Sequence, residues 1–303
     1  MLDAEIKTAI AEMKNNKAAG ADGIPAEFWK NLGDGAMKEL ANLCKDMYEQ
    51  GVWPKDFKRI VMVPLQKKVN AVDCEDYRTI SLISYASKIH LRILTKRIEN
   101  KVKDYIGENQ FGFRKGQGTR EAIGVMRTIC ERSLEHNNDV FICFVDFEKA
   151  FDRVDWKKMM QILKQINVDW KDRRMIKELY MGQEAVIRVG DTESEPDIAG
   201  RVRQGCPQSV LLFSIYSEMM MAEALEDVEE GVKVGGKLIK DIKFADDQGI
   251  IASTEKGLQQ LMDQLNSTAK DYNMKLNVKK TKTMLVSRKE GGIVNIVIDG
   301  QLM

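Results

Sequence analysis

Apolar residues fall at helical intervals in the opening stretch LDAEIKTAIAEMK and again in MKELANLCKDMYEQG, which Gly51 closes. The spacing predicts a helix at each, a further one over AEFWKNL, and a Gly- and Asp-bearing loop, NNKAAGADGIP, after the first. RIVMVPL is a short apolar run suited to a strand that leads into Lys67 and Lys68. SYASKIHLRILTKRIENKVKDYI and EAIGVMRTICERSLEHN are amphipathic at helical period, and the glycine-broken loop ENQFGFRKGQGT separates them. Val140 to Val145 form a wholly apolar, β-branched and aromatic strand that Asp146 ends abruptly. WKKMMQILKQINV and KDRRMIKELYMG read as helices and EAVIRVG as a strand, followed by the polar loop DTESEPDIAGRVRQGCP. SVLLFSIYSEMMMAEALEDVEE predicts a helix with a strong apolar face. IKFADDQGIIA predicts a hairpin with Asp246 and Asp247 at its tip, ahead of a helix over KGLQQLMDQLNSTAKDY and strand pieces in KLNVKKTKTMLVS. Helices and strands alternate without repeat or low-complexity linker, so the expected fold is mixed α/β with interwoven lobes.

Composition narrows the class. At 303 residues, 44% hydrophobic and 31% charged, the chain can bury one large or two ordinary cores. No run approaches the ~18 consecutive apolar residues of a membrane span. The opening MLDAEIKTAI lacks the basic and apolar blocks of a signal peptide, so an intracellular setting is expected. Five scattered cysteines, at 44, 74, 130, 143 and 206, and two histidines, at 90 and 136, have neither disulfide nor zinc spacing. Metal chemistry would therefore rest on oxygen ligands. The net charge of +1 conceals segregation: residues 51–132 carry 17 Lys and Arg against 9 Asp and Glu, the remainder 30 against 37. The excess is what a phosphate-binding surface needs, although solvated helix faces also account for stretches such as KIHLRILTKRIENKVK.

The adjacent acids of the predicted hairpin are, by themselves, what a solvated turn would also show. Their weight comes from company. Asp146 ends one strand and Asp246 with Asp247 end another, about a hundred residues on. Carboxylates gathered at one place repel unless a cation lies between them, and a pair of Mg2+ ions is the usual answer in phosphoryl-transfer enzymes.

Six stretches in order resemble a known family, the reverse transcriptases of non-LTR (LINE-type) retrotransposons. They are NNKAAGADGIP, YRTISLISYASKI, NQFGFRKGQGT, FVDFEKAFDRVDW, RQGCPQSVLLF and FADD, spread over most of the chain. The resemblance implies a right-hand polymerase fold: an antiparallel palm sheet flanked by helices, with a helical, basic fingers lobe. Residues 1–135 would be fingers interwoven with palm elements and 136–303 palm, with the thumb truncated and no endonuclease domain. It implies RNA-directed DNA polymerase activity on an RNA template, a DNA primer and dNTPs, with two Mg2+ ions for which Mn2+ can substitute. A nuclear location follows from the resemblance alone, no membrane partner is expected, and oligomeric state is not readable. The alternative is a degenerate remnant that binds RNA or primer–template without turnover; a nucleotide cyclase is disfavoured by the RQG and fingers motifs.

Carried over by motif, the metal-binding acids fall on Asp146, Asp246 and Asp247, of which Asp146 and Asp246 would ligate directly and Asp247 support them electrostatically. Phe151 matches the aromatic gate against a ribonucleotide 2′-OH, with a core phenylalanine as the competing role. Gln204 and Gly205 match the motif holding incoming nucleotide and template, and Arg78 the fingers residue that grips the triphosphate. Lys67 or Lys68 would add a second triphosphate contact, and Lys280 resembles the lysine that protonates leaving pyrophosphate. Asp152 and Asp155 read as structural. Two departures lie near the nucleotide pocket. The family usually writes proline, leucine, serine, proline where this chain has Pro207, Gln208, Ser209 and Val210, and Thr79 stands where a proline commonly follows the arginine.

Overall fold

The computed structural model describes residues 2–103, 105–112, 114, 116–182, 184–190, 192–194, 207–289 and 292–303. Helices α1 (Asp3–Ala11), α2 (Ala26–Lys30), α3 (Asp34–Gln50) and α4 (Lys55–Lys58) lead into strands β1 (Arg59–Gln66) and β2 (Tyr77–Leu82). Helices α5 (Tyr85–Val102) and α6 (Thr119–Glu135), strand β3 (Val140–Val145) and helices α7 (Trp156–Gln165) and α8 (Trp170–Met181) follow. Strands β4 (Glu184–Val189) and β5 (Thr192–Ser194) precede helix α9 (Pro207–Leu225) and the short strands β6 (Val232–Val234) and β7 (Lys237–Ile239). Strands β8 (Asp241–Phe244) and β9 (Asp247–Ala252), helix α10 (Glu255–Asp271) and strands β10 (Lys282–Val286), β11 (Val297–Ile298) and β12 (Gln301–Leu302) complete the chain. The mixed α/β class expected from the alternation is what the structure has.

Two compact units emerge, each from two separated segments: residues 1–103 with 156–211, and residues 104–155 with 212–303. The basic stretch 51–132 is therefore not one module, because it is divided between them. Charge segregation nevertheless survives the regrouping: the first unit holds 28 Lys and Arg against 22 Asp and Glu, the second 19 against 24.

In the first unit the apolar stripes of α1, α3 and α5 meet through Ile6, Ile10, Leu40, Cys44, Ile89 and Ile93, all buried. Gly51 ends α3 in the left-handed region, φ +67°, and donates its N–H to Met47 C=O at 2.8 Å, the helix stop its position predicted. A four-stranded sheet, β2-β1-β4-β5, pairs β1 antiparallel with β2 and parallel with β4.

At the start of α9, Gln208 is fully buried, and neither atom of its amide has a hydrogen-bond partner among the described residues. Next to it, Ser209 Oγ and the Tyr180 hydroxyl share a hydrogen bond at 3.0 Å. An unpaired buried amide costs stability that a hydrocarbon of similar size does not. Gln208→Leu should therefore raise unfolding stability by about 1–3 kcal/mol, read as a higher denaturation midpoint. A drop would mean that the amide is paired after all.

The second unit is built on an all-antiparallel sheet in the order β10-β3-β9-β8. Alternation along β3 sends Val140 and Ile142 toward α6, where they pack with Ile251, Ala122 and Ile129. Cys143 and Val145 point to the opposite face, and α10 packs on β3 and β9. Cover on both faces explains the apolar residues at Val140, Ile142, Cys143 and Val145, whereas Phe144 is 42% exposed. Helix α9 was expected to show one apolar face; it is instead buried nearly all round from Gln208 to Leu225.

Candidate active site

The strand β3 stops where its sequence turns acidic, and the sheet register decides what Asp146 meets. Phe144 pairs with Gly249 and Val145 with Gln248, so the next residue, Asp146, lies across from Asp247. On the other side of β9, Phe244 pairs with Asp247, leaving Ala245 and Asp246 as a two-residue turn. Ala245 has φ +60°, the positive value that two-residue hairpin turns require. Asp246 and Asp247 are exposed and Asp146 half-buried, so the three carboxylates share the end of one sheet while remaining open to solvent. Partial desolvation, followed by the charges of Asp246 and Asp146, holds the Asp247 carboxyl above the usual carboxylate range.

A loop just before β10 clasps Asp146. Asn277 Nδ2 donates to Asp146 Oδ1 at 2.9 Å, the Asn277 N–H donates to Asp146 C=O at 2.7 Å, and the Asp146 N–H donates to Thr281 Oγ1 at 3.2 Å. One carboxylate oxygen is thereby held and the other left available. Sequence reasoning passed over Asn277 and Thr281; the only signal was a polar pair bracketing two lysines, and the contact spans 131 residues. The same loop carries Lys280, whose N–H donates to Asn277 C=O at 3.1 Å. Lys280 lines, together with Asp146 and Asp247, an open cleft of about 540 Å3 walled by Met126, Phe144, Phe244 and Met284. Phe151, half-buried beyond Asp146, stacks on Phe213 with ring centroids 4.6 Å apart.

Arg78, Lys67 and Lys68 belong to the other unit, on and beside the β1–β2 hairpin, where all three are exposed. Arg78 pairs across with Leu65, and Lys68 forms an ion pair with Asp76 at 2.8 Å. Gln204 and Gly205 lie outside the described residues. Asp155, read as structural, donates its N–H to the Tyr216 hydroxyl at 3.3 Å.

Among the described residues no three His, Cys, Asp or Glu side chains gather tightly enough to close around a metal ion by themselves. Asp146, Asp246 and Asp247 do fit a hard cation whose coordination is completed by water and phosphate oxygens, the way Mg2+ is usually held.

Residues 65–293 match the family described as reverse transcriptase (RNA-dependent DNA polymerase). The chain belongs to the reverse transcriptase family. The match spans every candidate residue from Lys67 to Lys280. Family members use divalent metal ions and act on an RNA template with a primer and dNTPs. The LINE-type resemblance drawn from the motifs is borne out by the relatives. An RNA-directed DNA polymerase from mobile element jockey of Drosophila melanogaster is 26% identical over 313 residues, covering 99% of this chain and 33% of that protein. The Pol polyprotein of type-1 retrotransposable element R2 from Nasonia vitripennis is 27% identical, covering 88% of this chain and 25% of its own length. A putative 115 kDa protein of the type-1 element R1DM of Drosophila melanogaster is 25% identical over 93% of this chain and 27% of that protein. The chain thus spans a quarter to a third of the length of these relatives. No helix among the described residues is long and apolar enough to cross a membrane.

Proposed function

We propose that this chain is the fingers-and-palm body of a LINE-type RNA-directed DNA polymerase, transferring a nucleotide from dNTP to a primer 3′-OH. One observation carries the reading: Asp146, Asp246 and Asp247 lie together at one end of adjacent strands of one sheet, where partial desolvation and then the charges of the other two raise the Asp247 carboxyl. In this reading the palm is the unit that bears those strands, and the fingers are the basic unit with the β1–β2 hairpin. Two Mg2+ ions, when bound, supply Lewis-acid activation of the 3′-OH and of the leaving pyrophosphate.

The chain's own residues do the rest. Asp146 and Asp246 hold the cations, and Asp247 adds negative potential beside them. Lys280, on the loop clasping Asp146, delivers a proton to the departing pyrophosphate oxygen. Phe151 occupies the space that a ribose 2′-OH would need. Arg78, with Lys67 or Lys68, grips the triphosphate, Arg through its fork of donors. Gln204 and Gly205 hold the incoming nucleotide and template. The direct test is extension of a DNA primer on an RNA template with Mg2+ or Mn2+, halted by a chelator. No extension on any primer–template would count against the reading.

Binding should report the charge segregation. Lys and Arg contacts to phosphates release counterions, so the dissociation constant for an RNA–DNA hybrid should rise roughly 30- to 100-fold between 50 and 200 mM salt, as for about three phosphate contacts. Fluorescence anisotropy across that range is the measurement. Salt-indifferent binding would assign the basic excess to ordinary solvated surface.

A further inference from the structure

The turn that carries Asp246 is strained, and its restraints come from a segment far away in the chain. Ala245 is buried and sits at φ +60°, where a side chain is tolerated only under constraint. Both of its backbone polar groups are held by side-chain amides. The Ala245 N–H donates to Gln110 Oε1 at 3.1 Å, and Gln248 Nε2 donates to Ala245 C=O at 3.1 Å. Gln110 Oε1 also accepts the Gly112 N–H at 2.8 Å. Two N–H groups converging on one atom require an acceptor there, which fixes the orientation of the Gln110 amide.

The segment around Gln110 is itself anchored. Gln110 forms a parallel bridge with Lys243 at the free edge of β8; the Phe111 N–H donates to Lys243 C=O and the Lys243 N–H to Asn109 C=O, both at 2.8 Å. Asn109 Nδ2 donates to Asp241 Oδ1 at 2.7 Å, and the Gly107 N–H donates to Glu218 Oε1 at 3.1 Å. Lys243 Nζ, buried, pairs with both acids, at 2.9 Å to Glu218 and 3.3 Å to Asp241. Gly112 lies against the turn so closely that an added Cβ would come 2.2 Å from Ala245 N, so only glycine admits this approach.

Gln110 is 1% exposed, and its Nε2 has no hydrogen-bond partner among the described residues. A hydrocarbon of the same size would avoid that cost, so what the amide contributes lies in its oxygen. We propose that Gln110 is a positioning residue of the active site: through its Oε1 it holds the Ala245 N–H and fixes the strained turn that presents Asp246 and Asp247. This rests on the reading of those aspartates as the catalytic acids.

Gln110→Met keeps the shape and removes the acceptor. Three measurements on the full chain test it against wild type: single-turnover primer extension, hydrogen exchange by mass spectrometry, and the double variant with Ala245→Gly. The maximal extension rate should fall about 30-fold or more, with dNTP KM changing about threefold or less, because the acids are displaced while the triphosphate grip is untouched. Exchange should quicken in peptides covering residues 243–248 and stay unchanged in β3 and α10. Ala245→Gly takes the positive φ without strain and should return about fivefold or more of the lost rate.

A wild-type rate in Gln110→Met, or exchange that quickens throughout the unit, would overturn the proposal; the second result would make Gln110 a general packing residue. If instead the wild-type chain extends no primer, or Asp246→Asn extends normally, the reading of the acids has failed. The exchange comparison still decides in that event whether Gln110 fixes the turn.

Discussion

Asp246→Asn should abolish RNA-templated primer extension while leaving the fold intact. The residue is exposed, in a two-residue turn that tolerates asparagine as well as aspartate, so unfolding stability should stay within about 1 kcal/mol of wild type. Stability should move upward if it moves at all, because the change removes one of the charges that hold the Asp247 carboxyl high. The rate should fall by at least about a thousandfold, equivalent to roughly 4 kcal/mol of lost transition-state stabilisation. A solvated turn former predicts the reverse pattern, with neither rate nor stability affected. Chemical denaturation and single-turnover extension on one preparation distinguish the two.

Phe151→Val should let ribonucleotides in. The ring follows Asp146 by five residues and is braced by its stack on Phe213, so its position is set by packing rather than by the bound nucleotide. Removing it opens space where a 2′-OH would clash, and the dNTP-over-rNTP ratio of kcat/KM should fall by about 100-fold or more, since rejection by clash disappears with the ring. Because the ring is half-buried, the variant should also lose about 1–3 kcal/mol of stability, so the ratio must be measured below its melting transition. An unchanged ratio in a folded, active variant would leave Phe151 as core alone.

Legibility in the sequence followed the range of the interactions. The β8–β9 hairpin could be read because short apolar runs, Ile242 with Phe244 and Ile250 with Ile251, bracket the acids. β3 could be read because all six of its residues, Val140–Val145, are apolar, four of them buried. Strand β2 was missed: its half-polar residues Tyr77–Leu82 are only partly buried and carry little periodic signal. The β6–β7 hairpin was also missed, although Gly235 and Gly236 between Val234 and Lys237 form a two-glycine turn with both φ values positive. Three-residue strands are too short for periodicity to register, and there the turn chemistry was the better guide.

In the site, the three aspartates were legible as strand ends, but what orients them was not. Asn277 and Gln110 reach their partners across 131 and 135 residues, distances over which no local pattern operates. Charge counted along the chain also misled, because residues 51–132 are distributed over two folded units. Gln208 is the opposite case: the departure was visible in the sequence, and only burial showed that its amide has no partner among the described residues.

Single-nucleotide incorporation reads nucleotidyl transfer at the three carboxylates without the complication of repeated additions. The chain would be mixed with an RNA template, a DNA primer, the one complementary dNTP and Mg2+, and primer growth and pyrophosphate release would be followed together. Primers longer by one nucleotide and one pyrophosphate released per addition are expected from wild type, and neither product from a folded Asp146→Asn variant. Equal incorporation by wild type and Asp146→Asn, or a hybrid bound tightly by wild type with neither product formed, would contradict transfer at these carboxylates.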